Sequence, residues 1–396
     1  MRILYVHSTL VPPPTDVDID RFFLLSDHLE GDVLQPIWFR TPEEVEARFG
    51  PGSYPVHTVG KFRYHWFLIP DRNISGRLAI FRFILRKGRE LYKERRFQCI
   101  VAYSHQTTGL MAGLVKLLTG TRLVIEIAST PQNSYITDAP NPGLASYAKR
   151  LYSDICLHLS VFLADRCHYL FPKQLNYYPF LRSAKNSVFH EFVPVSKIDR
   201  VVESKTDEGA KPEQLYVLQV GAPWYLKGVD VLIKAFAEVA PEFPNVTLKL
   251  LGFYPGQEAL LELTRNAPQV EVLRARPNPE TLEIVKRAAI MATPSRTEGL
   301  PRVIMEAMAA ALPVIASDVG GIPSLVHDGE NGYLIPIGDH HALALRLRQL
   351  LSDAPLRRRM GDAGYVRAHN ELNEQAYVRG FTRMIADTIG PGQDPQ

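Results

Sequence analysis

Short apolar runs without polar alternation recur along the chain and alternate with stretches of helical spacing. RILYVHS (2–8), CIVAYS (99–104) and RLVIEIAS (122–129) predict strands buried on both faces, and HYLF (168–171) and NSVFHEFV (186–193) are weaker runs of the same kind. Helical spacing falls between them at 74–94, 108–118 and 143–165. Strands of this composition separated by helices predict a parallel sheet covered on both faces. Residues 199–213 (DRVVESKTDEGAKPE) are polar, lack helical apolar spacing and predict a linker. The alternation then restarts, with strands expected at 214–221, 246–252, 270–275, 290–295, 313–317 and 332–336, and a helical tail from Asp339 to about Ile389.

The pattern predicts an α/β protein of two doubly wound, Rossmann-like units, 1–198 and 214–370, with 371–396 a closing helix and tail set to pack back on the first unit. In such sheets ligands sit beyond the carboxyl ends of the strands. Two units facing each other would enclose a cleft there, so the loops after each strand are the ones to search.

Composition narrows the class. With 396 residues, 46% apolar and 22% charged, the chain is neither disordered nor collagen-like, and two cores need no staples. Cys99, Cys156 and Cys167 form no C-x-x-C pair and are odd in number, which points to a reducing compartment. No apolar run is long enough to span a membrane, and Ile3 to Val6 is too short for a signal-peptide core, so a cytoplasmic location is expected. A net charge of +3, with no basic recognition helix, disfavours nucleic acid. Charge is nevertheless concentrated. Between Arg72 and Arg96 lie nine basic and two acidic residues, interleaved with Leu78, Ile80, Phe81, Phe83, Ile84 and Leu85. This stretch reads either as a solvated helix face or as a surface for anionic lipid, holding the protein peripherally on the inner face of a membrane.

The stretch richest in chemistry is PSRTEGLPRVIMEAMAAALPVIASDVGG (294–321). A strand should end at Ser295, and a loop containing Gly299 should lead into a helix from about Leu300, with Pro301 in the first turn, where proline has no N–H to lose. Such a helix start attracts phosphate. Glu298 lies just before it, and Glu306 lies eight residues on, a rise of about 12 Å if all the intervening chain were helical. Two carboxylates so placed can serve two parts of one extended ligand. Glu298 reads equally as a first-turn carboxylate offsetting the helix dipole. Glu306 sits in MEAMAAA, where apolar neighbours imply burial, and a buried carboxylate needs a partner; a ribose diol would be one.

The segment resembles the signature of the family 4 retaining glycosyltransferases of GT-B fold, with E-x(7)-E at Glu298 and Glu306. The likeness runs through PVIASDVGGIPSLVHDGENGYLIPIGD to about Arg367, and LQVGAPWYLKGVDVLIKAF upstream resembles the family's phosphate-binding loop. It is strong over 214–370 and weak over the first 200 residues. The resemblance implies transfer of a sugar from a nucleotide-sugar donor to an acceptor hydroxyl, with retained configuration, in polysaccharide or glycolipid assembly, and with no metal or other cofactor. By the same resemblance, Lys227 neutralises the donor diphosphate from the loop opened by Gly221, Glu306 binds the ribose hydroxyls, Glu298 lies near the donor sugar, and the N–H groups of Gly299 and Leu300 hold sugar or phosphate oxygens. Arg302 is a further donor contact. The acceptor is a sugar or a lipid-linked sugar.

Three departures from the family pattern stand out. Ala222 takes the place of an Arg, for which Arg296 or Arg302 would have to compensate. Ala128 takes the place of a His. PPPTDVDIDR (12–21) contains none of the glycines expected after the first strand. His105, after CIVAYS, is the candidate replacement for the missing His, or else a loop histidine with a local hydrogen bond. His7 has the same two readings. Glu126, inside a strand, is either paired in the core or an acceptor contact. His340 and His341 are adjacent, cannot share a helical face, and read as surface. Two other readings of the whole remain: a catalytically silent homologue that binds nucleotide-sugar or glycan, and a nucleotide-sugar epimerase.

Overall fold

In the computed structural model, which describes residues 1–7, 20–37, 39–69, 74–104, 107–127, 144–177, 185–203, 215–252, 257–265, 267 and 269–390, the apolar runs become strands of two sheets. The chain divides into two units, one of Met1–Ser129, Ala148–Phe189 and Tyr377–Gln396, the other of Thr130–Tyr147 and His190–Ala376.

The first segments are β1 (Arg2–Val6), α1 (Arg21–Leu25), β2 (Glu30–Ile37), α2 (Pro42–Phe49), β3 (Val56–Val59), β4 (Phe62–Leu68), α3 (Ile74–Arg95), β5 (Cys99–Tyr103), α4 (Thr107–Thr119), β6 (Arg122–Ile127), α5 (Leu144–Leu163), β7 (Arg166–Tyr169), α6 (Gln174–Tyr177) and β8 (Lys185–Val188). The strands order as β3-β4-β2-β1-β5-β6-β7-β8, all parallel except the edge pair β3/β4. β1 and β5 are almost wholly apolar and sealed, as their composition demands. β2 is different. It buries Asp32 and Gln35, and a Cβ on Gly31 would stand 2.0 Å from the Ile3 carbonyl oxygen. Asp32 is tolerated because Arg63 and His65 of neighbouring β4 both reach its Oδ1, at 2.7 and 2.8 Å.

The chain continues with α7 (Val195–Glu203), β9 (Tyr216–Val220), α8 (Val229–Val239), β10 (Thr247–Leu251), α9 (Gln257–Thr264), β11 (Val270–Leu273), α10 (Asn278–Lys286), β12 (Ile290–Thr293), α11 (Arg302–Ala309), β13 (Val314–Ser317), β14 (Gly332–Ile335), α12 (His340–Ser352), α13 (Ala354–Glu371) and α14 (Glu374–Ile389). The second sheet orders β11-β10-β9-β12-β13-β14 and is wholly parallel. Its two faces are covered by separate apolar clusters, one built on α8 and α12, the other on α7, α10, α11 and α13.

Two expectations change. The start of the expected linker is helical: α7 runs to Glu203, with Ile198 buried in the second core, while 204–214 lie outside the described residues. Pro301 is the N-cap of α11 rather than a first-turn residue, so only part of the span from Glu298 to Glu306 has helical rise.

Candidate functional site

In a sheet ordered this way the connections reverse direction between β9 and β12, and the loops after those two strands diverge to leave room for a ligand. Lys227 follows β9 and Glu298 follows β12, which is why residues 71 apart in sequence meet here. Lys227 Nζ donates to Glu298 Oε1 at 2.6 Å, and Ser295 Oγ donates to the same oxygen at 2.8 Å. Glu298 is 6% exposed. Gly221 leaves space for the Lys227 stem, since a Cβ there would lie 3.3 Å from Lys227 Cε. The Glu298 loop is held from the far side by the chain after β13. Gly321 N–H donates to the Gly299 carbonyl at 2.7 Å, and a Cβ on Gly320 (φ +59°) would stand 2.0 Å from the Glu298 carbonyl oxygen.

No side chain caps α11. Leu300 packs against the core that holds Ile304 and Met305. Glu306 is 6% exposed, so the burial read from MEAMAAA holds. Its protein partners are Arg302, whose Nε donates to Oε1 at 3.2 Å, and the side chain of Asn278. Burial raises the Glu306 pKa above the ordinary carboxylate range, against the opposing charge and hydrogen bond of Arg302.

Neither arginine stands in freely for the one replaced by Ala222. Arg296 makes a fork to Asp230, 2.7 Å on each arm, donates to the Tyr225 carbonyl and stacks over the Tyr225 ring. Arg302 faces Glu306. At this end of the second sheet three cations therefore meet three carboxylates: Lys227 with Glu298, Arg296 with Asp230, and Arg302 with Glu306.

In the first unit the equivalent reversal lies between β1 and β5. His7 follows β1 and Ser104 follows β5, and both line a cavity of about 460 Å³. Arg77 and Ile80 of α3, Thr107 of α4 and Tyr152 of α5 complete its walls. Thr107 and Tyr152 share a hydroxyl hydrogen bond at 2.6 Å. Ser104 has φ +89°, an uncommon conformation for a residue with a Cβ. The His7 ring stacks on Tyr103, and burial, with the charge of Arg21, lowers its pKa to about 3, so the imidazole is neutral at pH 7. No sequence signal marked this cavity beyond the rule that ligands sit at strand ends.

Glu126 takes the core-paired reading. Tyr5 Oη donates to its Oε2, Arg21 lies 3.4 Å from that oxygen, and the Arg21 guanidinium also lies over the rings of Tyr5, Tyr103 and Tyr377. His105, Ala128 and residues 12–19 of the glycine-free loop lie outside the described residues.

The basic stretch is α3. Its apolar residues turn inward: Ile84 and Leu91 are buried, Ile80, Phe81, Phe83 and Leu85 pack against the same core, and only Leu78 of the six interleaved residues is largely exposed. The exposed apolar surface lies elsewhere, on α5. Leu151, Ile155, Leu159 and Phe162 recur at helical spacing and are 47–86% exposed. His340 and His341 lie at the surface as read, their side chains 34% and 76% exposed, but they are not isolated there. Adjacent residues on a helix point about 100° apart, yet both rings reach one carboxylate, that of Glu238 on α8, because the end of α8 lies beside the start of α12. Among the described residues no helix is long and apolar enough to cross a membrane.

Residues 202–367 match the family described as glycosyl transferases group 1. Over 160 residues the chain is 37% identical to a D-inositol 3-phosphate glycosyltransferase of Corynebacterium diphtheriae, covering 38% of each protein. The chain spans 38–53% of the length of the curated relatives it matches. Among solved structures it superposes on sucrose-phosphate synthase of Thermosynechococcus elongatus with a TM-score of 0.73, at 17% identity and 97% and 98% coverage of the two chains. It superposes on Anabaena HepE in complex with UDP-glucose at 0.70, with 15% identity and 98% and 100% coverage. The two largely parallel sheets and the superpositions give the chain a GT-B fold, and residues 202–367 of its second unit match the glycosyl transferases group 1 family.

Proposed function

We propose that the protein transfers a glycosyl group from a nucleotide-sugar to an acceptor hydroxyl with retention of configuration. The bond from the anomeric carbon to the diphosphate oxygen breaks, a bond from the acceptor oxygen to the same face of that carbon forms, and the acceptor gives up its proton. The observation that carries the reading is the Lys227–Glu298 pair at the β9/β12 reversal, inside the matched segment. An ammonium has three donors. Lys227 gives one to Glu298 and has two to offer the leaving diphosphate, while Glu298 accepts from sugar hydroxyls. Glu306 accepts from the ribose, exchanging Arg302 and Asn278 for hydroxyl donors. The N–H groups at Gly299 and Leu300 take the remaining oxygens, and Arg302, released from Glu306, joins them at the donor. Stabilisation of the leaving group by preorganised charge is the main source of rate, and no metal is needed in this scheme. His105, two residues beyond Tyr103 in sequence, is the group proposed to meet the acceptor.

The test is a thermal-shift and turnover screen across nucleotide-sugars, with Lys227→Ala and Glu298→Ala as controls. A donor that raises the melting temperature of the wild type and is turned over, with both lost in the variants, is the expected result. No stabilisation by any donor would sink the reading. The pairing of all three site cations supports one second reading, a silent homologue: stabilisation by a donor without turnover for any acceptor would establish it.

We further propose that the acceptor sits in the cavity of the first unit and is presented at an anionic membrane on the cytoplasmic side. The support is the row Leu151, Ile155, Leu159 and Phe162 on α5, with the exposed bases Arg82, Arg86, Arg89 and Lys93 of α3 supplying the opposite charge. Arg86, Arg89 and Lys93 share a groove with Leu118 of α4, and α4 packs on α5 through Lys116, which donates to the Leu163 carbonyl. Flotation with vesicles containing phosphatidylserine should be lost in Leu151→Glu/Phe162→Glu and weakened by salt. Equal binding of wild type and variant would refute it.

A further inference from the structure

On the α8/α12 side of the second sheet, Glu238, His340 and His341 place three different ligand groups within 4.8 Å of one another. Glu238 Oε1 lies 3.4 Å from His340 Nε2 and 3.0 Å from His341 Nδ1. A tetrahedral ion bound at 2.0–2.1 Å requires ligand atoms about 3.3 Å apart, so the two oxygen-to-nitrogen spacings suit a coordination shell as well as a hydrogen bond, and the two nitrogens lie within 4.8 Å of each other. The two rings are tilted by 34° with centroids 4.1 Å apart, so they pack against one another beside the shared carboxylate. The His340 side chain is 34% exposed and that of His341 76%, which leaves the outer side of the cluster open to a water ligand. Two imidazoles and one carboxylate select zinc and its neighbours over magnesium or calcium, which prefer all-oxygen shells.

We propose that these three residues form a zinc-class metal site that fastens the carboxyl-terminal turn of α8 to the first turn of α12. The site is separate from the chemistry at Lys227 and Glu298. Its effect is mechanical. α8 starts one residue after Gly228, so the helix whose far end the ion would hold is the one that leads out of the Lys227 loop. Without metal, the same three groups share only hydrogen bonds around one carboxylate, and that is the outcome the experiment must separate.

The experiment is equilibrium dialysis of EDTA-treated full-length protein against Zn²⁺ alone, with Co²⁺ as a spectroscopic probe. One ion per chain is expected, with visible d–d bands for Co²⁺ that report nitrogen and oxygen ligands. His340→Ala, His341→Ala and Glu238→Gln should each weaken binding at least tenfold. His369→Ala removes an imidazole that pairs with Asp199 elsewhere in the unit, and should bind as wild type does. Zn²⁺ should raise the melting temperature of the wild type and of His369→Ala but not of the three site variants. Unchanged stoichiometry and affinity in the site variants, or an equal loss in His369→Ala, would overturn the proposal. Circular dichroism of each variant shows whether the fold is intact, and Glu238→Gln keeps the shape of the side chain.

Discussion

The two sheets bury polar groups for different ends. In the first unit Asp32, held by Arg63 and His65, and Glu126, held by Tyr5 and Arg21, sit inside the sheet and link neighbouring strands. In the second, the strands bury only uncharged polar groups such as Gln219, Thr293 and Ser317, and the buried acids Glu298 and Glu306 lie outside the strands, each facing a cation. Polar groups inside a sheet act on stability, whereas those beyond its ends are available to chemistry.

The comparison breaks first at Gly320. A valine there would collide with the Glu298 carbonyl at a backbone angle that side chains avoid. Gly320→Val should cost about 4 kcal/mol of stability or more, read by guanidinium unfolding, because strain and overpacking add. If the variant is as stable as wild type, the loops are not locked together. Next, Glu298→Ala should lower turnover by about a hundredfold to a thousandfold while unfolding moves little, as expected of a preorganised polar contact. In the first unit the pattern should invert. Asp32→Ala leaves the buried His65 and the partly buried Arg63 without their acceptor, and should cost about 3 kcal/mol of stability while donor affinity stays unchanged. A large loss of donor binding in Asp32→Ala would erase the distinction between the sheets.

The smallest effect is in pH, and its sign differs between the units. Burial alone would raise the Asp32 pKa, but the hydrogen bonds and charges of His65 and Arg63 hold it below the ordinary range. Asp32 therefore stabilises the fold above the ordinary carboxylate pKa, and this is lost as pH falls through its depressed folded value. Glu306 is raised by burial, so it favours the folded state at low pH and loses that contribution as pH rises through its folded value. Glu306→Gln should flatten the second trend and Asp32→Asn the first, measured by urea midpoints from pH 3 to 7. Nucleotide binding should release protons where Glu306 is partly protonated, detected by calorimetry in buffers of different ionisation enthalpy.

The same contrast explains what could be read from sequence. YVLQV, TLKLL, IMAT and VIAS announced the second sheet because parallel strands buried on both faces need apolar residues. β2, β3 and β4 were not foreseen. EGDVLQPI carries Gly, Asp and Pro, residues that ordinarily mark turns, and its place in the sheet depends on partners 31 and 33 positions away that no local window contains. Glu298 and Glu306 stood out by their spacing, Lys227 only through the family resemblance, and the burial of Glu306 was legible in its alanine-rich context. The pairing of Arg296 with Asp230 and the meeting of both histidines on Glu238 were not legible, because each depends on which helix the fold places alongside.

The return of Tyr377–Gln396 to the first unit has a consequence for synthesis. Arg166 at the start of β7 donates to Thr388, 222 residues later, and Phe189 packs against Gly380. The ribosome thus delivers most of the first sheet long before the helix that finishes it. The lobe begun earliest is completed last, and during translation its partly covered flank must wait until nearly the whole of the other lobe has been made.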